Sequence, residues 1–247
     1  MQRLFVQKSC LSDSRLLIDQ STYSHLFSVC RLKIGDCLTL ISDRDRYCVQ
    51  IDFFDKKKIN FTIVDHLLLD LPAISFTLIQ SLPKQDKFSQ ICRMCIEAGV
   101  HSIFPVLTSR TDVRLRQSAF GKKRERYQQI IHSAACQSQR NELPYLYDLG
   151  SLEALDQLSG FDSALKIVFY EESGPEHCLK SILSSSLQSI SEVVFFIGPE
   201  GGFSAEEICL LKEKGFVVAS LGSTVLRVEH AAFYALAQFN CFFSDLV

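Results

Sequence analysis

Two segments near the C-terminal end of the 247-residue chain gather the residue types that chemistry needs. The first is Ile197-Gly198-Pro199-Glu200-Gly201-Gly202-Phe203-Ser204, which leads from an apolar, β-rich stretch into a helical pattern. Its glycines and proline let the backbone approach a ligand closely and offer N–H groups as donors. Ser204 and Glu207 have capping-box spacing, so a helix should open at Ser204. The loop lacks both G-x-x-x-x-G-K-[ST] and G-x-G-x-x-G, which argues against an ordinary dinucleotide fold. On spacing alone, a tight turn that needs glycines explains it as well as a ligand loop does.

The second segment is Leu221-Gly222-Ser223-Thr224-Val225-Leu226-Arg227-Val228-Glu229-His230-Ala231-Ala232. A strand should end at Gly222 and a helix should open near Glu229, putting Arg227 and Glu229 at its start. An acid there complements the helix dipole. Read alone, a capping acid and a surface arginine account for the pair equally well.

Charge adds a third feature. The formal net charge is −2, so the field of the whole molecule does not announce a nucleic-acid partner. Locally, Arg110, Arg114, Arg116, Lys122, Lys123, Arg124 and Arg126 face only Asp112 and Glu125. Such a surplus can be a phosphate footprint even in a neutral protein. Taken alone, the run reads first as a solvated helix face.

Metal and membrane chemistry are not expected. Cys92 and Cys95 have C-x-x-C spacing, but they share a helical stripe with Phe88, Ile91 and Ile96 and read as reduced core thiols. The histidines are scattered. No apolar run reaches the roughly 18 residues of a membrane span. The opening residues lack the apolar stretch of a secretory signal, so a cytoplasmic location is expected.

These segments need elements to position them. Residues 37–42, 47–54 and 59–66 read as short strands of a small antiparallel barrel that ends near Leu71-Pro72. Beyond Ala73, strands at 74–82, 101–109, 166–172, 193–198 and 217–222 alternate with helical patterns at 86–98, 119–137, 176–186, 204–214 and 228–243. That alternation implies an α/β domain with a parallel sheet covered by helices. Ligands of such sheets bind beyond the carboxyl ends of the strands, which selects the loops after Phe169, Ile197 and Leu221. The last helix carries Ala231, Ala232, Phe233, Ala235, Leu236, Phe239, Phe242 and Phe243, more apolar surface than one buried stripe needs. A second copy of the chain is the expected cover.

Taken in order, these segments and several others resemble one family. They include His25-Leu26, Val29-Cys30-Arg31, Ile34-Gly35-Asp36, Pro83-Lys84-Gln85-Asp86-Lys87, Glu97-Ala98-Gly99-Val100, Leu107-Thr108-Ser109-Arg110 and Gln137-Ser138-Gln139-Arg140. With the loops at 198–204 and 221–232, the chain resembles the bacterial 16S rRNA N3-uridine methyltransferases of the SPOUT superfamily nearly end to end. It departs from them at Cys136, Gln139, Ser223, Thr224, Val228 and His230, and keeps the charges at Arg110, Arg140, Glu200, Arg227 and Glu229.

The resemblance implies an N-terminal PUA-like β-barrel over residues 1–72 that binds RNA. It implies a SPOUT methyltransferase domain over 73–247 whose last segments thread a trefoil knot. The family binds S-adenosylmethionine in the knot and acts as a homodimer. Carried onto this chain, Arg227, Glu229 and Glu200 become the catalytic candidates, with Arg227 stabilising charge and the choice of acid–base carboxylate open. The cofactor would be held by Phe169, Tyr170 and Glu171, by Ile197, Gly198, Pro199, Glu200, Gly201 and Gly202, and by Leu221, Gly222, Val225, Leu226 and Arg227. RNA would meet Arg31, Lys84, Arg110, Arg114, Arg116, Lys122, Lys123, Arg124 and Arg140. The rival readings are a methyltransferase of the same superfamily acting on transfer RNA or ribose, and a non-catalytic RNA-binding assembly factor.

Overall fold

The computed structural model describes residues 2–12, 14–70, 72–111, 117–158, 160–174, 177–185 and 190–243. Arg114 and Arg116 of the expected basic run lie outside the described residues, as does Leu71 at the expected boundary. The chain divides into two compact units, Met1–Leu71 with Ala135–Leu143, and Pro72–Ala134 with Pro144–Val247. The segment Ala135–Leu143, expected in the second domain, belongs with the first unit. Within that unit Arg3 holds it by donating to the carbonyls of Gln139 and Arg140 and, at 3.0 Å, to Asn141 Oδ1.

The first unit is built on six strands: β1 (Gln2–Phe5), β2 (Leu11–Ser12), β3 (Arg15–Leu17), β4 (Cys37–Ser42), β5 (Asp45–Phe54) and β6 (Lys58–Leu68). They form one sheet in the order β1-β4-β5-β6-β3-β2. All pairs are antiparallel except β1 with β4. Alternation along the strands turns Leu38, Leu40, Val49, Ile51 and Ile59 into the core. The loop from β4 to β5 is tighter than the four-residue turn expected: only Asp43 and Arg44 lie between the paired Ser42 and Asp45. Asp43 takes a φ of 51°, a conformation that Asp tolerates in tight hairpins. A short helix, α1 (Gln20–Tyr23), is capped by Asp19, whose carboxylate accepts from Thr22 N at 2.7 Å.

The second unit carries β7 (Ser75–Ser81), β8 (Ser102–Val106), β9 (Tyr145–Leu146), β10 (Leu165–Phe169), β11 (Glu192–Ile197) and β12 (Val217–Ala219). Their order is β12-β10-β11-β7-β8-β9, and every neighbouring pair is parallel. Every residue of β8, and of β11 beyond Glu192, is buried, as strands covered on both faces require. The chain starts in the middle of the sheet with β7 and returns there late, when β11 inserts between β10 and β7. The carboxyl ends of β10, β11 and β12 therefore lie close together.

The helices of this unit are α2 (Lys87–Glu97), α3 (Gln117–Gln137), α4 (Leu179–Ser185), α5 (Ala205–Glu213) and α6 (Val228–Phe242). Cys92 and Cys95 are buried on the inner face of α2 with Phe88, Ile91 and Ile96, and burial pushes both thiols upward. The apolar surplus of α6 is mostly consumed inside the unit. Its residues pack against α2 and against the sheet, with Phe239 stacked 5.7 Å from Phe76 and edge-on 5.3 Å from Phe195. Phe233 and Tyr234 remain exposed. Among the described residues no helix is long and apolar enough to cross a membrane, and no group of His, Cys, Asp or Glu side chains converges on a metal-sized site.

Candidate functional site

The buried strand β11 delivers the glycine-rich loop at its carboxyl end. Gly202 N donates to Pro199 O at 2.9 Å and closes a turn within it. Gly202 has a φ of +66°, and a Cβ there would sit 2.0 Å from Glu171 Oε1. The left-handed φ favours glycine, and any side chain would also displace the Glu171 carboxylate. Phe203 anchors the loop from beneath, edge-on to Phe196 at 4.8 Å. The expected capping box opens α5: Glu207 N donates to Ser204 Oγ at 3.2 Å, and Ser204 N donates to Glu207 Oε2 at 2.9 Å. The other Glu207 oxygen accepts from Ser109 N at 2.6 Å, which fastens the loop after β8 to this helix.

Two further loops meet it. Phe169 ends β10 and Tyr170 and Glu171 follow it, while residues 220–227 lead from β12 into α6. Arg227 is the N-cap of α6, and its carbonyl accepts from the amides of His230 and Ala231, each at 2.9 Å. Glu229 follows in the first turn and is buried, at 8% exposure. Together the loops enclose a cavity of ≈ 410 Å³.

Of the residues expected to hold a cofactor, Phe169, Tyr170 and Glu171 line this cavity. So do Ile197, Gly198, Pro199, Glu200 and Gly202, and Leu221, Gly222, Val225, Leu226 and Arg227. Gly201 does not. Its carbonyl accepts from Arg110 Nη1 at 2.7 Å, and a Cβ there would face the Arg110 side chain at 3.3 Å.

One corner of the cavity is charged. Lys87 Nζ lies 3.1 Å from Glu200 Oε1 and 3.3 Å from Glu229 Oε2. Both Glu200 oxygens also accept from Lys84 N, each at 3.1 Å. Glu229 Oε2 is buried and has no hydrogen bond. Burial pushes the Glu200 carboxyl up, but its own amide, the Lys84 amide and the Lys87 ammonium outweigh that and bring it below the usual carboxylate value. Glu229 is likewise raised by burial and brought lower by its own amide, Lys87 and His230. Arg227 is exposed at the cavity edge, and among the described residues its guanidinium has no carboxylate partner.

The residues expected to meet RNA separate into two groups. Arg31, Lys84, Arg110, Lys122 and Lys123 are exposed. Arg124 is instead engaged on β9 and its neighbour, donating to Leu146 O at 3.2 Å and pairing with Asp148 at 2.7 Å. Arg140 is mostly buried and pairs with Glu142 at 2.9 Å. Arg126 pairs with Asp86.

With this geometry in place, comparison with known proteins decides the family. A family model for the RNA methyltransferase domain matches residues 70–240. The chain belongs to the RNA methyltransferase family. The Ribosomal RNA small subunit methyltransferase E of Bacillus subtilis is 32% identical over 249 residues, covering 97% of this chain and 96% of that one. The crystal structure of the enzyme of that name from Neisseria gonorrhoeae, bound to S-adenosyl methionine, superposes with a TM-score of 0.83 at 26% identity over 98% of both chains. A methyltransferase from Legionella pneumophila, in complex with the same cofactor, gives a TM-score of 0.81 at 28% identity, covering 97% of both chains.

In this RNA methyltransferase the residue missed by sequence reasoning is Lys87. It stands in the Pro83–Lys87 run that carries the resemblance, yet nothing in that run marks it as part of the cavity. The available signal is its position: it is the first residue of α2, where the helix dipole disfavours a cation. Ser220, Ser223 and Thr224 also line the cavity without having been assigned there.

Proposed function

We propose that the protein transfers a methyl group from S-adenosylmethionine to N3 of a uridine in 16S ribosomal RNA of the small subunit. The observation that carries this is the juxtaposition at one cavity of an exposed arginine, Arg227, with no carboxylate partner among the described residues, and a buried carboxylate, Glu229, that faces the Lys87 ammonium. The volume of ≈ 410 Å³ lies within the roughly 300–1,000 Å³ of small-molecule sites. Its wall fits the cofactor in kind. Main chain from Gly198 to Gly202 and from Leu221 to Leu226 offers amides and carbonyls, and Glu171 offers acceptors for hydroxyl groups.

When bound, S-adenosylmethionine supplies a methyl group on a sulfonium, whose charge disappears on transfer. The uridine N3 carries a proton at neutral pH, so attack needs a base. Glu229 takes that role, because both Glu200 oxygens accept from Lys84 N, whereas Glu229 Oε2 faces the Lys87 ammonium at 3.3 Å and accepts from no backbone amide among the described residues. The N–H electron pair stays on nitrogen and forms the bond to the methyl carbon, while the pair of the cleaved carbon–sulfur bond is left on sulfur. Arg227 faces a uracil carbonyl oxygen and stabilises the negative charge that develops there. The target base is unstacked to reach the cavity, as for other enzymes that act on bases.

The exposed Arg31, Lys84, Arg110, Lys122 and Lys123 contact RNA phosphates, with Arg114 and Arg116 of the same run. Arg124 and Arg140 hold structure instead, which their ion pairs support. The six-stranded sheet of the first unit serves as the PUA-like RNA-binding barrel. The late insertion of β11 into the sheet suits a chain that continues into a trefoil knot around the cofactor. The protein works in the cytoplasm as a homodimer, with the exposed Phe233 and Tyr234 available to the interface.

The test is single-turnover transfer of labelled methyl to small ribosomal subunits lacking the modification. Wild type is expected to yield 3-methyluridine, and Arg227→Ala to lower the rate by about 10²–10³-fold, the scale of a lost oxyanion donor. Binding of RNA and cofactor should hold, the signature of an interaction made in the transition state. An Arg227→Ala variant that loses binding but keeps its saturated rate would overturn that assignment.

A further inference from the structure

Lys87 has no evident task in the helix it begins. A cation at the first position of α2 opposes the helix dipole. Its ammonium instead reaches two carboxylates from other segments: Glu200 at 3.1 Å, in the loop after β11, and Glu229 at 3.3 Å, in the first turn of α6. The two acids differ in what else they touch. Glu200 is also held by Lys84 N through both oxygens, so it keeps partners if Lys87 is removed. Glu229 Oε2 is buried, has no hydrogen bond, and meets the Lys87 ammonium. A buried carboxylate beside a second carboxylate takes up a proton unless a cation stands by.

We infer that Lys87 is a positioning residue: its ammonium, braced on Glu200, holds the Glu229 carboxylate ionised and aimed into the cavity. The inference rests on the reading of Glu229 as proton acceptor and adds a control on that acceptor. Glu200 acts as the brace, which explains why a loop otherwise built for backbone approach carries an acid. The surrounding charges leave this task to Lys87. Asp86, beside it, is paired with Arg126. Lys84 serves Glu200 through its amide. Among the described residues Arg227 makes no ion pair to Glu229, and His230, next in α6, is exposed. Burial raises the Glu229 carboxyl, and its own amide, Lys87 and then His230 bring it below the usual value.

A base must be ionised to act, so the rate rises with pH through the titration of Glu229. With Lys87 present, that limb lies below the ordinary glutamate value of about 4.3. Without it, burial and the Glu200 charge raise Glu229, and the limb moves toward neutral pH. The experiment compares wild type, Lys87→Met and Lys87→Arg by two readouts. One is the pH profile of single-turnover methyl transfer to small subunits. The other is the carboxyl-carbon NMR titration of protein labelled in glutamate, with Glu229→Gln assigning the signal. Lys87→Met is expected to move both upward by about one pH unit or more, the scale of losing an opposite charge at this range. Lys87→Arg is expected to return both toward wild type.

A Glu229 titration unmoved by Lys87→Met overturns the inference, whatever the activity does. A profile lowered equally at every pH, with the titration unmoved, also overturns it and assigns Lys87 a structural role. Lys87→Gln repeats the comparison if Lys87→Met fails to fold. Absence of methyl transfer by wild type would defeat the proposed function instead, and the NMR titration would still decide what Lys87 does to Glu229.

Discussion

The carboxylate of Glu171 occupies the space beside Gly202 where any other residue would place its Cβ, 2.0 Å from Oε1. Glu171 follows β10 and Gly202 belongs to the loop after β11, so the two residues bring two walls of the cavity together. A side chain at Gly202 must move Glu171, and it must also adopt a φ of +66°. Strain of that kind costs on the order of 1–3 kcal/mol.

Gly202→Ala is therefore expected to weaken binding of S-adenosylmethionine or its demethylated product by about tenfold or more, each 1.4 kcal/mol being tenfold. Gly201→Ala is the control. Its φ is not left-handed, and its new Cβ would make a tight 3.3 Å contact with Arg110 Cβ outside the cavity, so affinity should change less. Isothermal titration of both variants checks this, and equal losses would show that the loop tolerates neither change for reasons unrelated to Glu171.

The basic residues should also divide by what they touch. Lys122→Ala combined with Lys123→Ala removes exposed charge, and RNA binding is expected to weaken with a flatter salt dependence, by roughly 0.7–0.9 log unit per lost phosphate contact. Arg140→Ala removes a mostly buried partner of Glu142 and should cost about 1.5–3 kcal/mol of stability, the scale of a hydrogen bond to a charged group. Filter binding across a salt series and urea denaturation separate the two effects. A stable Arg140→Ala variant with a reduced salt slope would return that residue to the RNA surface.

How much of this is visible in the sequence depends on the range of the interaction. The strand at 37–42 is read residue for residue, because its local apolar pattern and the turn after it suffice. The Ser204–Glu207 capping box is equally local and forms as its spacing predicts. β1 and β9 are missed, since four and two residues carry no period and each pairs with a strand remote in sequence. The cavity is found through the loops after Phe169, Ile197 and Leu221, because β–α alternation selects the carboxyl ends of the strands. Lys87 is not, because only tertiary packing brings the start of α2 to Glu200 and Glu229. Arg124 in the basic run and Arg140 in the Gln137–Arg140 segment carry no sign in sequence of the ion pairs they make with Asp148 and Glu142. The apolar excess of α6 has a second cover that the sequence does not reveal: the helix packs on α2 as well as on the sheet.

The central claim is that this cavity methylates uridine in small-subunit ribosomal RNA, and nucleoside mass spectrometry of that RNA from a deletion strain tests it most directly. The account predicts that 3-methyluridine disappears from the small-subunit RNA, returns with the wild-type gene, and stays absent or strongly reduced with Arg227→Ala expressed at the same level. Unchanged 3-methyluridine in the deletion strain, or full restoration by Arg227→Ala, would contradict it.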